Sequence, residues 1–233
     1  MPAGLRRVLA RKAATMRGMR IAITLYSIML FAGLAAAQSP QSHQHSFSDA
    51  EKWAQVFDDP ERDAWQKPHE VIQALALQPD ARVADLGAGT GYFSARLANM
   101  LPQGRVYAVD IEPDMVRYLD ARAKREQLRN LTAVAGAPDD PRLPEKVDLI
   151  LLVDVYHHVE DRARYFRKLR ASLRPGGRIA IVDFRLDSPE GPPRAARIAP
   201  ETVKAEMSAA GYAAAAEHSF LPYQYFLVFR PAP

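Results

Sequence analysis

The 233-residue sequence contains no cysteine. A disulfide framework, a thiolate zinc site, an iron–sulfur cluster and a cysteine nucleophile are therefore excluded. A strong excess of one charge sign is also missing, with 31 Lys and Arg facing 27 Asp and Glu. At 48% hydrophobic residues the chain is too apolar and too balanced for a disordered protein, and it is long enough to bury one core. No internal repeat is visible. No carboxylate–histidine cluster has the spacing of a metal site, so metal dependence is not indicated.

Acids are wholly absent from residues 1–37, which hold six positives: Arg6, Arg7, Arg11, Lys12, Arg17 and Arg20. The remainder then carries 25 positives against 27 acids, a net charge of −2. The basicity belongs to this leader, so the body of the chain offers no nucleic-acid footprint. After Arg20 comes an uncharged run, 21–37 (IAITLYSIMLFAGLAAA), closing on Ala35 and Ala37 ahead of Gln38. That small-x-small ending is the pattern a signal peptidase accepts. The run is at the lower limit for crossing a hydrocarbon core of roughly 30 Å. Basic residues on its N-terminal side would hold that end in the cytoplasm and send the body across. Residues 1–37 thus read as a signal peptide or membrane anchor, with Met16 or Met19 as alternative starts. Residues 38–48 (QSPQSHQHSFS) read as a flexible linker with solvated His43 and His45, and 49–233 as the functional domain. The expected location is periplasmic, or membrane-anchored through 21–37. A cytoplasmic protein with a spurious upstream extension is the alternative.

From residue 49 onward, helical and strand-like spacing alternate. Helices are predicted over 49–57, 66–77, 92–101, 113–127, 162–173 and 200–210. Strands are predicted over 82–86, 105–110, 131–135, 147–153, 178–184, 213–219 and 223–230. The run 147–153 (VDLILLV) is continuously apolar except for Asp148, as a central parallel strand buried on both faces should be. Five β-α units followed by a terminal hairpin predict an α/β fold: a doubly wound, mostly parallel seven-stranded sheet with a terminal antiparallel hairpin. Ligands in such a sheet bind beyond the carboxyl ends of the strands, at the switch point. The chemically distinctive residues fall at those ends: 85–91, 110–112, 136–138, 154–158 and 183–185.

Between the first strand and the helix after it stands Asp85-Leu86-Gly87-Ala88-Gly89-Thr90-Gly91. Glycine at every second position lets the backbone turn tightly and approach a ligand closely. The following helix start adds unpaired N–H groups and a positive dipole end. A nicotinamide or flavin loop would read G-x-G-x-x-G, but here the third glycine comes one place early and position 92 is Tyr. Asp85 would repel a pyrophosphate and attract an ammonium or sulfonium. Asp110, at the end of the second strand, can accept two hydrogen bonds from a ribose diol. A ligand with carboxylate, ammonium, sulfonium and ribose satisfies all of these features.

These residues resemble a known family. VADLGAGTGYFS (83–94), VYAVDIEPDMV (106–116) and DLILLVDVYHHVED (148–161) are similar to successive motifs of class I S-adenosylmethionine-dependent methyltransferases, the small ubiquinone/menaquinone-biosynthesis type above all. The resemblance covers roughly residues 66–184 and implies a Rossmann-like methyltransferase fold with S-adenosyl-L-methionine as cofactor. It implies that Asp85, Gly87, Ala88, Gly89 and Gly91 surround the methionine part of the cofactor. Asp110 would hold the ribose, Ile111 would pack on the adenine, and Asp154 would lie beside the methionine portion. Gly136-Ala137 departs from the pattern, which often has an acid near the adenine amino group. Ala137 is then a backbone contact, or Asp139 or Asp140 substitutes.

The expected activity is methyl transfer to a small-molecule acceptor by in-line displacement, with donor and acceptor held collinear and dry. If the acceptor needs a general base, His157 or His158 supplies it. Adjacent histidines are expected to point to different sides, bringing at most one to the pocket. Trp53, Phe57 and Trp65 read either as core packing or as a lid that shields a cation. Two other readings remain at this level: an exported, non-catalytic binding protein of the same fold, and a nicotinamide-dependent oxidoreductase, which the early third glycine and Asp85 disfavour.

Overall fold

The computed structural model describes residues 48–233. The segment 1–37, His43, His45 and all of the linker except Ser48 lie outside the described residues. Among the described residues no helix is long and apolar enough to cross a membrane.

Seven strands form one sheet: β1 (Arg82–Leu86), β2 (Arg105–Asp110), β3 (Leu131–Ala135), β4 (Val147–Val153), β5 (Leu173–Phe184), β6 (Tyr212–His218) and β7 (Gln224–Pro231). Their order is β3-β2-β1-β4-β5-β7-β6. The first five pair in parallel, and β7 runs antiparallel between β5 and β6. The expected doubly wound sheet with its terminal hairpin is what forms. Its switch point lies between β1 and β4, where the chain leaves one half of the sheet for the other.

Helices cover both faces. On one side α3 (Pro68–Ala74), α4 (Tyr92–Met100) and α5 (Pro113–Arg125) bury Val71, Phe93, Leu97 and Leu119 against Val83, Ala108 and Leu151. On the other, α6 (Arg162–Leu169) and α7 (Pro200–Ala209) bury Phe166, Leu169, Val203 and Met207 against Ile150, Ile179 and Ile181. Burying a Leu or Phe in this way contributes roughly 1.5–3 kcal/mol each. Side chains alternate across the pleat, so β4 and β5 must be apolar at almost every position.

Two elements differ from the sequence expectation. The helix predicted over 66–77 is α3, and an unpredicted short helix, α2 (Arg62–Gln66), precedes it, separated at Lys67, whose φ of 45° belongs to the left-handed region. Pro68 explains the break, because the residue before a proline is driven out of the α region. Strand β5 begins at Leu173, which pairs with Val147, while Arg178 pairs with Leu149. The intervening Arg174-Pro175-Gly176-Gly177 bulges out of the ladder, so the predicted helix stop falls inside a strand. A further helix, α1 (Ala50–Phe57), precedes α2 as expected.

Candidate functional site

The loop after β1 is fastened to the end of β2. Gly87 and Ala88 N–H both donate to the Val109 carbonyl, at 2.8 and 3.0 Å. Gly89 N–H donates to Asp110 Oδ2 at 2.8 Å, and Glu112 N–H to Oδ1 at 3.0 Å. Gly87 and Gly89 take φ of 70° and 56°. A Cβ at Gly87 would sit 2.5 Å from Val155, and one at Gly89 would sit 3.3 Å from the Phe57 ring. Only glycine fits both the turn and its ceiling. Beneath the loop Asp85 is 3% exposed and accepts the Ser94 hydroxyl at 2.5 Å. Burial pushes its carboxyl up to about 7, with Ser94 opposing and the Asp110 charge adding to the rise. Burial also raises Asp110, against the pull of the Glu112, Gly89 and Ile111 N–H groups. Ile111 stands 56% exposed beside Asp110, an apolar surface at the rim. Thr90 Oγ1, within the loop, is buried without a partner.

At the end of β3, Gly136 N–H donates to the Asp110 carbonyl at 2.9 Å, and Ala137 N–H to the Asp140 carbonyl at 2.7 Å. Asp139 pairs with Lys168 of α6 at 2.9 Å, and the Asp140 carboxylate accepts Arg142 N–H at 2.8 Å.

The α1–α2 strap carries three aromatic rings over this end of the sheet. Trp53 stacks on Phe57 with centroids 5.3 Å apart, and Phe57 covers Gly89. Trp65 packs against Phe184 and Tyr223 at 5.8 and 6.1 Å. These rings lie over the strand ends, not in the sheet's two cores. Asp58 pairs with Arg122 of α5 at 2.9 Å, and Arg122 also donates to the Thr90 carbonyl at 3.0 Å. Asp63 accepts the Tyr92 hydroxyl and pairs with Arg96 at 2.9 Å.

Asp154, with φ of 59°, gathers the strap to the sheet. Gln66 donates to it at 2.9 Å, Arg62 stands 3.4 Å away, and Gln224 at the start of β7 donates to its other oxygen. Burial raises its carboxyl to about 6, with Arg62 opposing. Arg62, Gln66 and Gln224 carry no local sequence signal, being distant in the chain and gathered only by the fold.

Residues Tyr156–His158 form a 3-10 turn, in which the two histidine rings lie side by side, with centroids 4.1 Å apart, and do not point to different sides. His158 is exposed. The His157 side chain is 5% exposed, and its Nδ1 lies 2.9 Å from both carboxylate oxygens of Asp183, whose side chain is 3% exposed. Burial works against a charged imidazole here, but the hydrogen bond and charge of Asp183, with Asp154 behind it, carry the pKa above its ordinary value. Asp183 was marked in the sequence only by its place at the end of a strand.

Residues 84–179 match the family model described as methyltransferase domain. A malonyl-acyl-carrier-protein O-methyltransferase of Methylococcus capsulatus is 37% identical over 107 residues, which are 46% of this chain and 38% of that protein. The ubiquinone/menaquinone biosynthesis C-methyltransferase of Pasteurella multocida is 32% identical over 121 residues, 48% of this chain and 43% of the relative. The chain thus spans less than half the length of these relatives. Among solved structures, a SAM-dependent methyltransferase from Aquifex aeolicus has the same fold. Its TM-score is 0.72 at 23% identity, covering 78% of this chain and 97% of that one.

Proposed function

We propose that this protein transfers a methyl group from S-adenosyl-L-methionine to a small-molecule acceptor, and that residues 49–233 are the catalytic domain. The observation that carries the reading is the glycine loop locked to Asp110 above the buried Asp85. The match of residues 84–179 to the methyltransferase domain model supports it.

The residues fit the cofactor. Gly87, Ala88, Gly89 and Gly91 allow close backbone approach, and Asp85 and Asp154 are carboxyl groups that a bound sulfonium amino acid would hold in the ionised form. Asp110 accepts the Gly89 N–H at Oδ2 and the Glu112 N–H at Oδ1, and its carboxylate has further lone-pair capacity for a ribose hydroxyl. Ile111 offers an apolar face for adenine, and Ala137 offers backbone groups at its edge. Thr90 Oγ1 is a buried hydroxyl still lacking a partner. When bound, the sulfonium supplies an electrophilic methyl group. The chain's contribution is to hold the acceptor in line with it and exclude water, an effect worth up to roughly 7–11 kcal/mol. The strap residues Phe57, Trp65 and Arg62 would provide that exclusion. Tritiated methyl transfer to a small-molecule extract tests the activity; a protein that neither transfers nor binds the cofactor would end the proposal.

The charge asymmetry of residues 1–37 supports placing the domain across the membrane, either secreted or tethered through 21–37. The same leader favours a second reading, an exported binding protein that keeps the fold, since S-adenosylmethionine is made in the cytosol. Intact mass of the mature N-terminus with cell fractionation decides the compartment, and the transfer assay decides between enzyme and binder.

A further inference from the structure

We infer that Asp183 and His157 form a proton-accepting pair, and that the acceptor is a hydroxyl compound whose proton must leave as it is methylated. The inference rests on the methyltransferase reading and deepens it.

Asp183 fixes the imidazole in one state. Its two oxygens face Nδ1 at 2.9 Å, and Oδ2 also accepts the His157 backbone N–H at 3.2 Å. Oδ1 is set in turn by the Phe184 N–H at 2.8 Å. A carboxylate opposite Nδ1 requires the proton there, which leaves a lone pair on Nε2. Among the described residues no hydrogen bond reaches Nε2, and Nε2 is not among the buried unpartnered atoms. The turn carrying His157 is itself anchored, because Tyr156 donates to Glu206 at 2.6 Å and Arg162 binds the same carboxylate at 2.6 Å.

A second observation points to the same place. Tyr225 lies opposite Asp183 in the β5–β7 register, and its hydroxyl is buried with no partner. Gln224, beside it, keeps an unpartnered buried Oε1 while its amide holds Asp154. The Tyr225 hydroxyl, on the Asp183 side of the strand pair, is thus a buried polar atom free to take a hydrogen bond near the carboxylate that holds the imidazole.

Acceptor chemistry decides what such a pair is for. A carboxylate acceptor arrives ionised and a neutral amine attacks with its own lone pair, so neither needs a base beforehand. A hydroxyl is a weak nucleophile until its proton departs. In the balanced step, an oxygen lone pair forms the new C–O bond as the donor's S–C bond breaks and its electrons return to sulfur. The hydroxyl proton passes to Nε2 of His157, and the imidazolium is held by Asp183. His157 is then the catalytic residue and Asp183 a positioning residue. The charged and titratable groups that face this imidazole are Asp183 from β5, Asp154 from the end of β4, and His158 of its own turn.

The test uses the full-length protein and has one arm that is independent of turnover. In histidine-selective nitrogen NMR, Asp183→Asn should lower the His157 titration by about one pH unit or more. An unchanged titration overturns the pairing. In the second arm, tritiated S-adenosylmethionine labels a small-molecule extract. Label that survives mild alkali and is released as methyl iodide by hydriodic acid is the methyl ether expected. Methanol released by alkali identifies a carboxylate acceptor and overturns the inference, as does label stable to both treatments. Asp183→Asn should reduce kcat/KM roughly 100-fold or more, with affinity for S-adenosylhomocysteine unchanged by calorimetry. If that variant does not fold, His157→Gln carries the kinetic arm with the same expectation. S-adenosylhomocysteine bound without any label counts against the pair alone, whereas no binding at all removes the methyltransferase reading beneath it.

Discussion

Gly89 donates its N–H to Asp110 at 2.8 Å, so the turn after β1 and the carboxylate ending β2 form one unit. Asp110→Ala removes that bond, the second one to Glu112 N–H, and the acceptors offered to a ribose. Charge-assisted hydrogen bonds of this kind are worth about 1.5–3 kcal/mol. Cofactor affinity should therefore fall by one to two orders of magnitude in calorimetry. An affinity within twofold of wild type would remove Asp110 from the site.

Asp85 sets a pH dependence whose sign is fixed by its burial. Its folded pKa is raised from 3.8 to about 7, so between those values the folded state holds a proton that the unfolded state has lost. This group's contribution to stability therefore declines as pH rises from about 4 to 7, by an amount on the order of a few kcal/mol. Asp85→Asn keeps the volume and removes the titration. Denaturant melts of the ligand-free variant should show it more stable than wild type at pH 8 and equal to it at pH 4, while its cofactor affinity is weaker. A variant less stable at pH 8 would contradict the burial account.

Gly89 has a left-handed φ of 56° and the Phe57 ring above it. Gly89→Ala should lower stability by about 1–3 kcal/mol, and adding Phe57→Leu should restore part of that loss. Equal losses in the single and double variants would show that Phe57 does not press on the loop.

The Asp58–Arg122 pair fastens the strap to α5 and, through the Thr90 carbonyl, to the glycine loop. Arg122→Ala leaves Asp58 and that carbonyl without their donor, at a cost of about 1–3 kcal/mol. Amide hydrogen exchange should quicken across α1 and across 89–91 together. Faster exchange confined to α5 would mean that the pair does not hold the strap.

Much of this was legible in the sequence. All seven strands were, because each buried strand is apolar on both faces or in alternation, and glycine or proline punctuates most of the gaps between them. The glycine loop and Asp85 were legible because they are contiguous in the chain, and Asp110 because it ends the next strand, which the parallel sheet sets beside β1. Helix α2 was not, since five residues, RDAWQ, are too few to display a helical period. The side-by-side packing of His157 and His158 was not legible, because a 3-10 turn brings consecutive rings together while burying only one of them. Gln66 and Gln224 reach Asp154 across 88 and 70 positions of chain, and no local pattern announces such a meeting. Asp183 sat in the right stretch of sequence, but only the structure supplied its partner.

Titrating the purified protein in a calorimeter with S-adenosylmethionine, and separately with NADH, tests most directly whether the glycine loop above Asp85 and beside Asp110 takes an adenosyl sulfonium amino acid. One-to-one binding of the first and no heat from the second is the predicted result. Binding of the dinucleotide, or silence with both, would contradict it.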